Sequence, residues 1–283
     1  PSIVVEAQKA RFKPHFLIQT LIFIVIFFIT QVLLGLPLGI YSALLAVRDS
    51  LTGNLTLDST GGPSAEYLTQ LQNDLLVPSL ILTLIVTIVA IIYCRVIEKR
   101  SLSSMGFVRK KAFTDYIVGA GLGFLMLGLA LLISFLCGTV KYEGFVLGDG
   151  IGLLLLFLLG FLIQGMSEEV LVRGYYMISV AAKNSLLLAV ISNSVIFALL
   201  HILNDGIGIL PLINLALFGA FASIYALKSN SIWGVCALHS IWNFAQGNIF
   251  GIKVSGIDTQ VSLFSFSLNE SGSIINGGAF GLE

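Results

Sequence analysis

The chain has few charged residues for its length. Lys and Arg number 15 and Asp and Glu number 15 among 283 residues, so that 11% of the chain is charged and the net charge is zero. A nucleic-acid-binding surface needs an excess of Lys and Arg on one face, and the composition offers no such excess. The hydrophobic content of 57% and the mean hydropathy of +0.98 indicate instead a protein that folds in lipid.

Cysteine is scarce as well. Cys94, Cys137 and Cys236 lie in or at the end of apolar stretches, with no CxxC spacing between them. Such a distribution predicts neither a disulfide framework nor a thiolate metal site. The chain also lacks an HExxH motif, by which one helix presents two zinc-binding histidines.

Long apolar runs are abundant. A run of about twenty apolar residues crosses a hydrocarbon layer of about 30 Å as a helix. Seven candidate spans follow from the sequence: 16–46, 76–94, 116–138, 150–178, 185–200, 209–227 and 231–250. We therefore expect an all-α fold, a polytopic membrane bundle of seven to eight helices with an intramembrane polar cavity. The first run is over-long and contains Gly35, Pro37 and Gly39, which favours a kink or a re-entrant bend over a straight helix.

The distribution of Lys and Arg predicts which side each loop occupies, because cytoplasmic loops carry the positive excess. Residues 1–15 and 95–111 are basic, whereas 47–75 carries more acidic than basic residues. We therefore expect residues 1–15 to be cytoplasmic, residues 16–250 to form one transmembrane domain, and residues 251–283 to form an extracytoplasmic tail.

Ionisable residues inside the apolar runs mark a candidate site. Glu168 and Glu169 are adjacent within the fourth run, and two of the three histidines, His201 and His239, also lie in apolar segments. Ionisable groups at membrane depth are costly and usually face a wet cavity, a partner or a reaction. The sequence therefore predicts chemistry inside the membrane.

Helical spacing gives these residues common faces. His239 and Asn243 are one turn apart on the last predicted helix, and Phe197 and His201 are one turn apart on the fifth. At about 1.5 Å per residue, Glu168 lies roughly 15 Å from the cytoplasmic end of its helix, His239 about 12 Å and His201 about 24 Å. Tilted or kinked helices would have to bring these residues together.

Each ionisable residue also has a purely structural interpretation. A single buried histidine is as often a structural hydrogen-bond donor as a catalytic group. Glu169 and Arg173 are four residues apart, so an ion pair that holds the helix is the better interpretation for them. That assignment leaves Glu168 without a local partner and free to take and give a proton.

Three short motifs together resemble a known family. The matches are Glu168-Glu169-x-x-x-Arg173, Phe197-x-x-x-His201 and His239-x-x-x-Asn243, on successive predicted helices. This pattern is similar to that of the CAAX prenyl proteases and bacteriocin-processing enzymes, the type II CAAX endopeptidases, which include the lysostaphin-resistance-like proteins. The resemblance covers residues of about 150–250.

The resemblance implies an intramembrane endopeptidase in a bacterial cell membrane, acting on a peptide or a membrane protein. Glu168 would be the general base, His201 its partner in positioning and protonation, and His239 with Asn243 the oxyanion donors. Glu169, Arg173 and Phe197 would support them. No cofactor is implied, and similar bacterial proteins continue into a further helix, which predicts an eighth span after residues 251–283.

Three alternatives stay open at this stage. Glu168, His201 and His239 are also a possible ligand set for a catalytic zinc ion with an open fourth position. A transporter or proton relay would also bury polar groups, although the inverted repeats expected of it are not found. A non-catalytic immunity or regulatory scaffold would keep the same fold and bind a partner in the membrane.

Overall fold

The computed structural model describes residues 1–283, and most of the chain is helical. The α-helices are α1 (Ser2–Ala7), α2 (Phe16–Thr52), α3 (Ala65–Leu82), α4 (Leu84–Ile92), α5 (Ala112–Leu136), α6 (Ile151–Glu169), α7 (Ile178–Ala181), α8 (Leu186–Leu199), α9 (Ile209–Ser229), α10 (Trp233–Phe244) and α11 (Ser273–Asn276). π-Helical segments extend α4, α6 and α10 over Tyr93–Ile97, Val170–Met177 and Ala245–Ile249. Short 3-10 turns occupy Leu102–Met105, Arg109–Lys111 and Glu270–Gly272, and the two strands are β1 (Val140–Phe145) and β2 (Phe264–Leu268).

The helices show that the chain is a polytopic membrane protein. Five helical segments are long and apolar enough to cross a membrane: Phe16–Thr52, Ala65–Ile97, Arg109–Leu136, Ile151–Ala181 and Ile209–Ser229. The other two predicted spans correspond to α8, with 14 residues, and α10, with 12 residues. Both are shorter than the roughly twenty residues of a straight crossing.

Helix α2 is one continuous helix of 37 residues with Pro37 inside it. The expectation of a re-entrant bend in this segment was wrong. Proline removes one main-chain hydrogen bond, but the remaining bonds of a helix this long hold it together, and Gly35 and Gly39 have open space around them.

Helix α10 lies between α5 and α6, and glycine lets the three backbones approach closely. A Cβ atom on Gly119 of α5 would lie 1.9 Å from the carbonyl oxygen of Gly234, and one on Gly165 of α6 would lie 2.7 Å from the backbone nitrogen of Ser240. Close contact between small residues is a common way to hold membrane helices together, because lipid supplies no hydrophobic force between them. These contacts fix the position of α10, which carries His239 and Asn243.

The π-helical segment after α6 forms the centre of the core. Every residue from Val170 to Met177 is buried. The hydroxyl of Tyr175 accepts a hydrogen bond from Gln19 Nε2 at 3.1 Å, and the hydroxyls of Tyr176 and Thr20 lie 2.8 Å apart. These bonds connect the second half of the helix to α2.

A buried ion pair, which Gln19 also contacts through Glu98, holds the same segment. Arg100 and Glu98 pair in the turn after the second long helix, with almost no exposed side-chain surface. Arg100 Nη2 also donates to the carbonyl oxygens of Gly174 and Tyr175 at 3.1 and 3.2 Å. Because carbonyl groups in a π-helical turn depart from the regular α pattern, these two bonds stabilise the wide turn.

Strands β1 and β2 join two distant parts of the chain. They pair antiparallel, with Val140 opposite Leu268 and Phe145 opposite Phe264. The loop after α5 and the tail of residues 251–283 therefore lie on the same side of the helical bundle. The tail is packed against the bundle, since Phe280 and Leu282 are buried.

Candidate active site

Glu168 and Glu169 end α6 and point in different directions, because neighbouring residues on a helix are separated by about 100°. The Glu169 side chain is completely buried, whereas 32% of the Glu168 side chain is exposed. The two adjacent carboxylates therefore have different surroundings, and only Glu168 is accessible from a cavity.

Glu169 contacts two cationic or potentially cationic groups. Its Oε1 atom lies 3.0 Å from Arg173 Nη1, which confirms the ion pair predicted from the i, i+4 spacing. The same oxygen accepts a hydrogen bond from His239 Nδ1 at 2.8 Å. This second contact joins α6 to α10 across 70 residues of sequence, and helical spacing alone gave no indication of it.

Phe197 covers the Arg173 guanidinium. The Arg173 Cζ atom lies 4.2 Å from the centre of the Phe197 ring, a cation–π contact that offsets part of the cost of burying the charge. The same ring lies 4.9 Å from the His201 ring and 5.9 Å from the His239 ring. Phe197 therefore contacts the Arg173 end of the buried ion pair and lies next to both histidine rings.

Glu168 has a neutral neighbour that the sequence analysis did not assign to it. Gln164 Nε2 donates to Glu168 Oε1 at 2.5 Å, and Asn243 Nδ2 donates to Gln164 Oε1 at 3.1 Å. The expectation that Glu168 has no local partner was therefore wrong, although no Lys or Arg side chain pairs with it. Its Oε2 atom has no hydrogen-bond partner in the protein, and His239 Nε2 is 3.7 Å away.

His201 lies in the turn that follows α8. Its Nδ1 atom is 2.9 Å from the carbonyl oxygen of Phe197, so Nδ1 carries a proton and donates it. The Nε2 atom of His201 then remains available for another group. The Nδ1 atom of His239 is held in the same manner by a carboxylate, so both imidazoles direct Nε2 away from their anchors.

Two cavities meet at the candidate residues. The larger, of about 370 Å³, is mostly apolar and contains His201, His239 and Asn243 in its wall. The smaller, of about 100 Å³, contains Glu168, His201 and Asn243. His201, Asn243 and Ser255 line both cavities. Glu168 thus lines the smaller cavity, His239 the larger one, and His201 and Asn243 both.

The alternative zinc set does not assemble. No group of three or more His, Cys, Asp and Glu side chains is arranged to hold a metal ion. The residues of this site therefore do not fit the three-ligand zinc centre, and no step below uses a metal.

The fold and the site define a polytopic membrane protein with a carboxylate–histidine site buried among its helices. Residues 150–245 match the family model described as Type II CAAX prenyl endopeptidase Rce1-like. The match covers about a third of the chain and includes every residue of the three motifs, which confirms the resemblance seen in the sequence. No curated protein and no solved structure matches the chain.

Proposed function

We propose that this protein is an intramembrane endopeptidase in which Glu168 activates a water molecule for attack on a peptide bond. One observation carries the proposal. The Glu168 side chain lines the smaller cavity, which shares His201 and Asn243 with the larger, mostly apolar cavity, and its Oε2 atom has no hydrogen-bond partner in the protein. An apolar peptide segment in the large cavity would therefore meet a water molecule from the small one.

The first step places a water molecule beside the Glu168 carboxylate, in the smaller cavity. Glu168 takes one proton from this water as its oxygen attacks the carbonyl carbon of the scissile bond. Gln164 donates a hydrogen bond to Glu168 Oε1 and so fixes the orientation of the carboxylate. The attack produces a tetrahedral intermediate with a negatively charged oxygen.

Asn243 and His239 stabilise that oxygen. Asn243 Nδ2 has two protons, of which one is donated to Gln164 and the other is available to the oxyanion. His239 donates from Nε2 when it is protonated, and the Glu169 carboxylate at Nδ1 stabilises this imidazolium. Glu169 thus acts through His239, while Arg173 offsets the remaining carboxylate charge.

The last step requires a proton on the departing amine. Glu168 returns the proton that it took, and the proton goes to the nitrogen of the scissile bond. His201 Nε2 passes this proton on or holds it by a hydrogen bond beside the scissile bond. The carbon–nitrogen bond then breaks and yields one carboxylate and one amine product. No metal or redox partner is required for this balance.

The proposal includes a topology. Helices α8 and α10 would be two short spans among seven, residues 1–15 would be cytoplasmic, and residues 251–283 would be extracytoplasmic, with an eighth span beyond them. The substrate would be a peptide or a membrane protein cleaved close to the bilayer. Processing of bacteriocin precursors is one form of this chemistry.

A comparison of membrane peptides tests the function. Cells producing the wild-type protein are compared with cells producing equal folded amounts of Glu168→Gln, and new peptide termini are identified by mass spectrometry. We expect new termini close to membrane segments in the wild-type sample and in the Glu66→Gln sample, whose substitution removes an exposed acid of α3, and none in the Glu168→Gln sample. Identical termini in all three samples, with a retained biological effect, would instead support the scaffold.

A further inference from the structure

A carboxylate outside the three motifs lines the larger cavity. The tail of residues 251–283 brings Leu282 and Glu283 into the cavity wall, beside His201 and His239. Glu283 is partly buried and belongs to the wall of this cavity. None of the proposed catalytic steps uses this group.

Neutral donors fix the position of this carboxylate. Ser255 donates to it from its backbone nitrogen at 3.2 Å and from its hydroxyl at 2.5 Å, and Gln246 Nε2 donates at 3.3 Å. The main-chain oxygen of Glu283 accepts from Asn214 Nδ2 of α9 at 3.3 Å. The acid is thus held by groups from α9, from the extension of α10 and from the tail.

No cationic side chain pairs with Glu283. The ion pairs of the protein involve other carboxylates, and no Lys or Arg residue lines the larger cavity. Burial raises the pKa of the Glu283 carboxyl, and the nearby His201 and His239 act in the opposite direction. A partly buried carboxylate is stabilised by a cation in contact with it, and neither histidine nor any Lys or Arg residue forms an ion pair with Glu283.

The rest of the cavity wall suits a long side chain with a charged end. Most of its residues are apolar, among them Met126, Leu217 and Phe221. A Lys or Arg side chain lays its aliphatic stem along an apolar surface and keeps its charged group at a polar site. An acidic side chain in the same place would be repelled by Glu283.

We propose that Glu283 is a specificity-determining residue, which binds a basic side chain of the peptide substrate beside the scissile bond. This inference rests on the proposed function, since it assigns the larger cavity to the substrate. The expected substrate is an apolar peptide segment with one Lys or Arg residue. The positive charge of that residue would pair with the Glu283 carboxylate, which has no ion-pair partner in the protein.

Peptide binding tests this inference without requiring cleavage. The Glu168→Gln protein, purified in detergent, is titrated with a set of fluorescent, apolar twelve-residue peptides. Each peptide carries a single Lys at a different position, and its partner has norleucine there, which has nearly the same shape without the charge. Dissociation constants are then measured for two double variants, in which Glu168→Gln is combined with Glu283→Gln or with Glu270→Gln. Glu270 is an exposed acid of the same tail and serves as the control.

We expect at least one Lys position to bind about 10-fold or more tightly than its norleucine partner, because a charge-assisted hydrogen bond has an effect of this size. Glu283→Gln should abolish that preference, and Glu270→Gln should keep it. Equal binding of every Lys and norleucine pair, or a preference that survives Glu283→Gln, overturns the inference. Thermal unfolding shows whether each variant is folded, and cleavage by the wild-type protein, measured separately, decides the proposed function.

Discussion

Glu169 Oε1 and His239 Nδ1 lie 2.8 Å apart and connect the first motif to the third. The contact fixes the imidazole so that its Nε2 atom faces Glu168, at 3.7 Å from Oε2. Glu169 is therefore more than the partner of Arg173. It orients a group of the candidate site from a completely buried position.

The two adjacent glutamates should respond differently to the same substitution. Glu168→Gln removes the base but leaves every buried ion pair intact, so the protein should fold normally and its turnover should fall by about 100- to 10,000-fold. Glu169→Gln leaves Arg173 without its counter-charge in a buried position. We expect it to lower the free energy of unfolding by about 3–5 kcal/mol.

The measurement compares turnover and unfolding in mixed micelles at equal amounts of folded protein. Glu66→Gln provides the control for a loss of acidic charge at an exposed position. If Glu168→Gln turns over substrate at nearly the wild-type rate, Glu168 is not the base. Full stability of Glu169→Gln would show that the ion pair is dispensable.

Asn243 should act on turnover more than on substrate binding. Loss of one oxyanion donor costs about 100- to 1,000-fold in kcat, so Asn243→Ala should fall within that range while KM changes little. Asn243→Asp should be no better, because an anion repels the developing charge where water screens it weakly. A higher KM with unchanged kcat would make Asn243 a substrate-positioning residue.

Activity should persist after metal removal. Glu168 and the two histidines do not form a metal-binding group, and the proposed proton transfers need no Lewis acid. We expect purified, active protein to retain its rate after dialysis against a chelator. Elemental analysis of the same sample is the check, and a stoichiometric zinc ion whose removal and return switch the rate would favour the zinc mechanism.

The glycine contacts between α5 and α10 predict a position-specific effect on stability. Gly119→Ala places a methyl group where the Gly234 carbonyl now lies, so it should lower the free energy of unfolding by about 1–3 kcal/mol. Gly121→Ala, two residues away in the same helix, meets open space and should not destabilise. Equal losses from both variants would show that helix packing does not depend on this close approach.

Topology is testable with single cysteines, after Cys94, Cys137 and Cys236 have been replaced. Thr60 and Lys110 are exposed positions in loops that the charge distribution assigns to opposite sides. In intact cells an impermeant thiol reagent should label Thr60→Cys, and Lys110→Cys should react only after the cells are opened. The reverse pattern would invert the orientation.

The sequence predicted the composition of the site better than its contacts. Helical spacing identified the pair of Glu169 and Arg173, because both residues belong to one helix and the i, i+4 relation is local. The contact of Glu169 with His239 joins two helices, and its existence depends on how α6 packs against α10. Spacing within either helix contains no information about that packing.

The fold was predictable to a similar extent. The long apolar runs correctly indicated a polytopic helical bundle, because hydrophobic length is a direct property of the sequence. The predicted runs 185–200 and 231–250 also agree closely with α8 (Leu186–Leu199) and with α10 and its π-helical extension (residues 233–249). The position of Glu283 could not be predicted, because the tail folds back through contacts with Ser255 and Gln246.

The π-helical segment Val170–Met177 makes the number of residues in this stretch as important as their chemistry. Each residue rotates a helix by about 100°, so deleting one from the segment would turn all later side chains away from their present neighbours. Tyr175 and Tyr176 would then lose Gln19 and Thr20, and a deletion before Arg173 would also separate Arg173 from Glu169. Related sequences should therefore show substitutions within Val170–Met177 but no insertions or deletions. Searches for distant relatives can use this constant segment length.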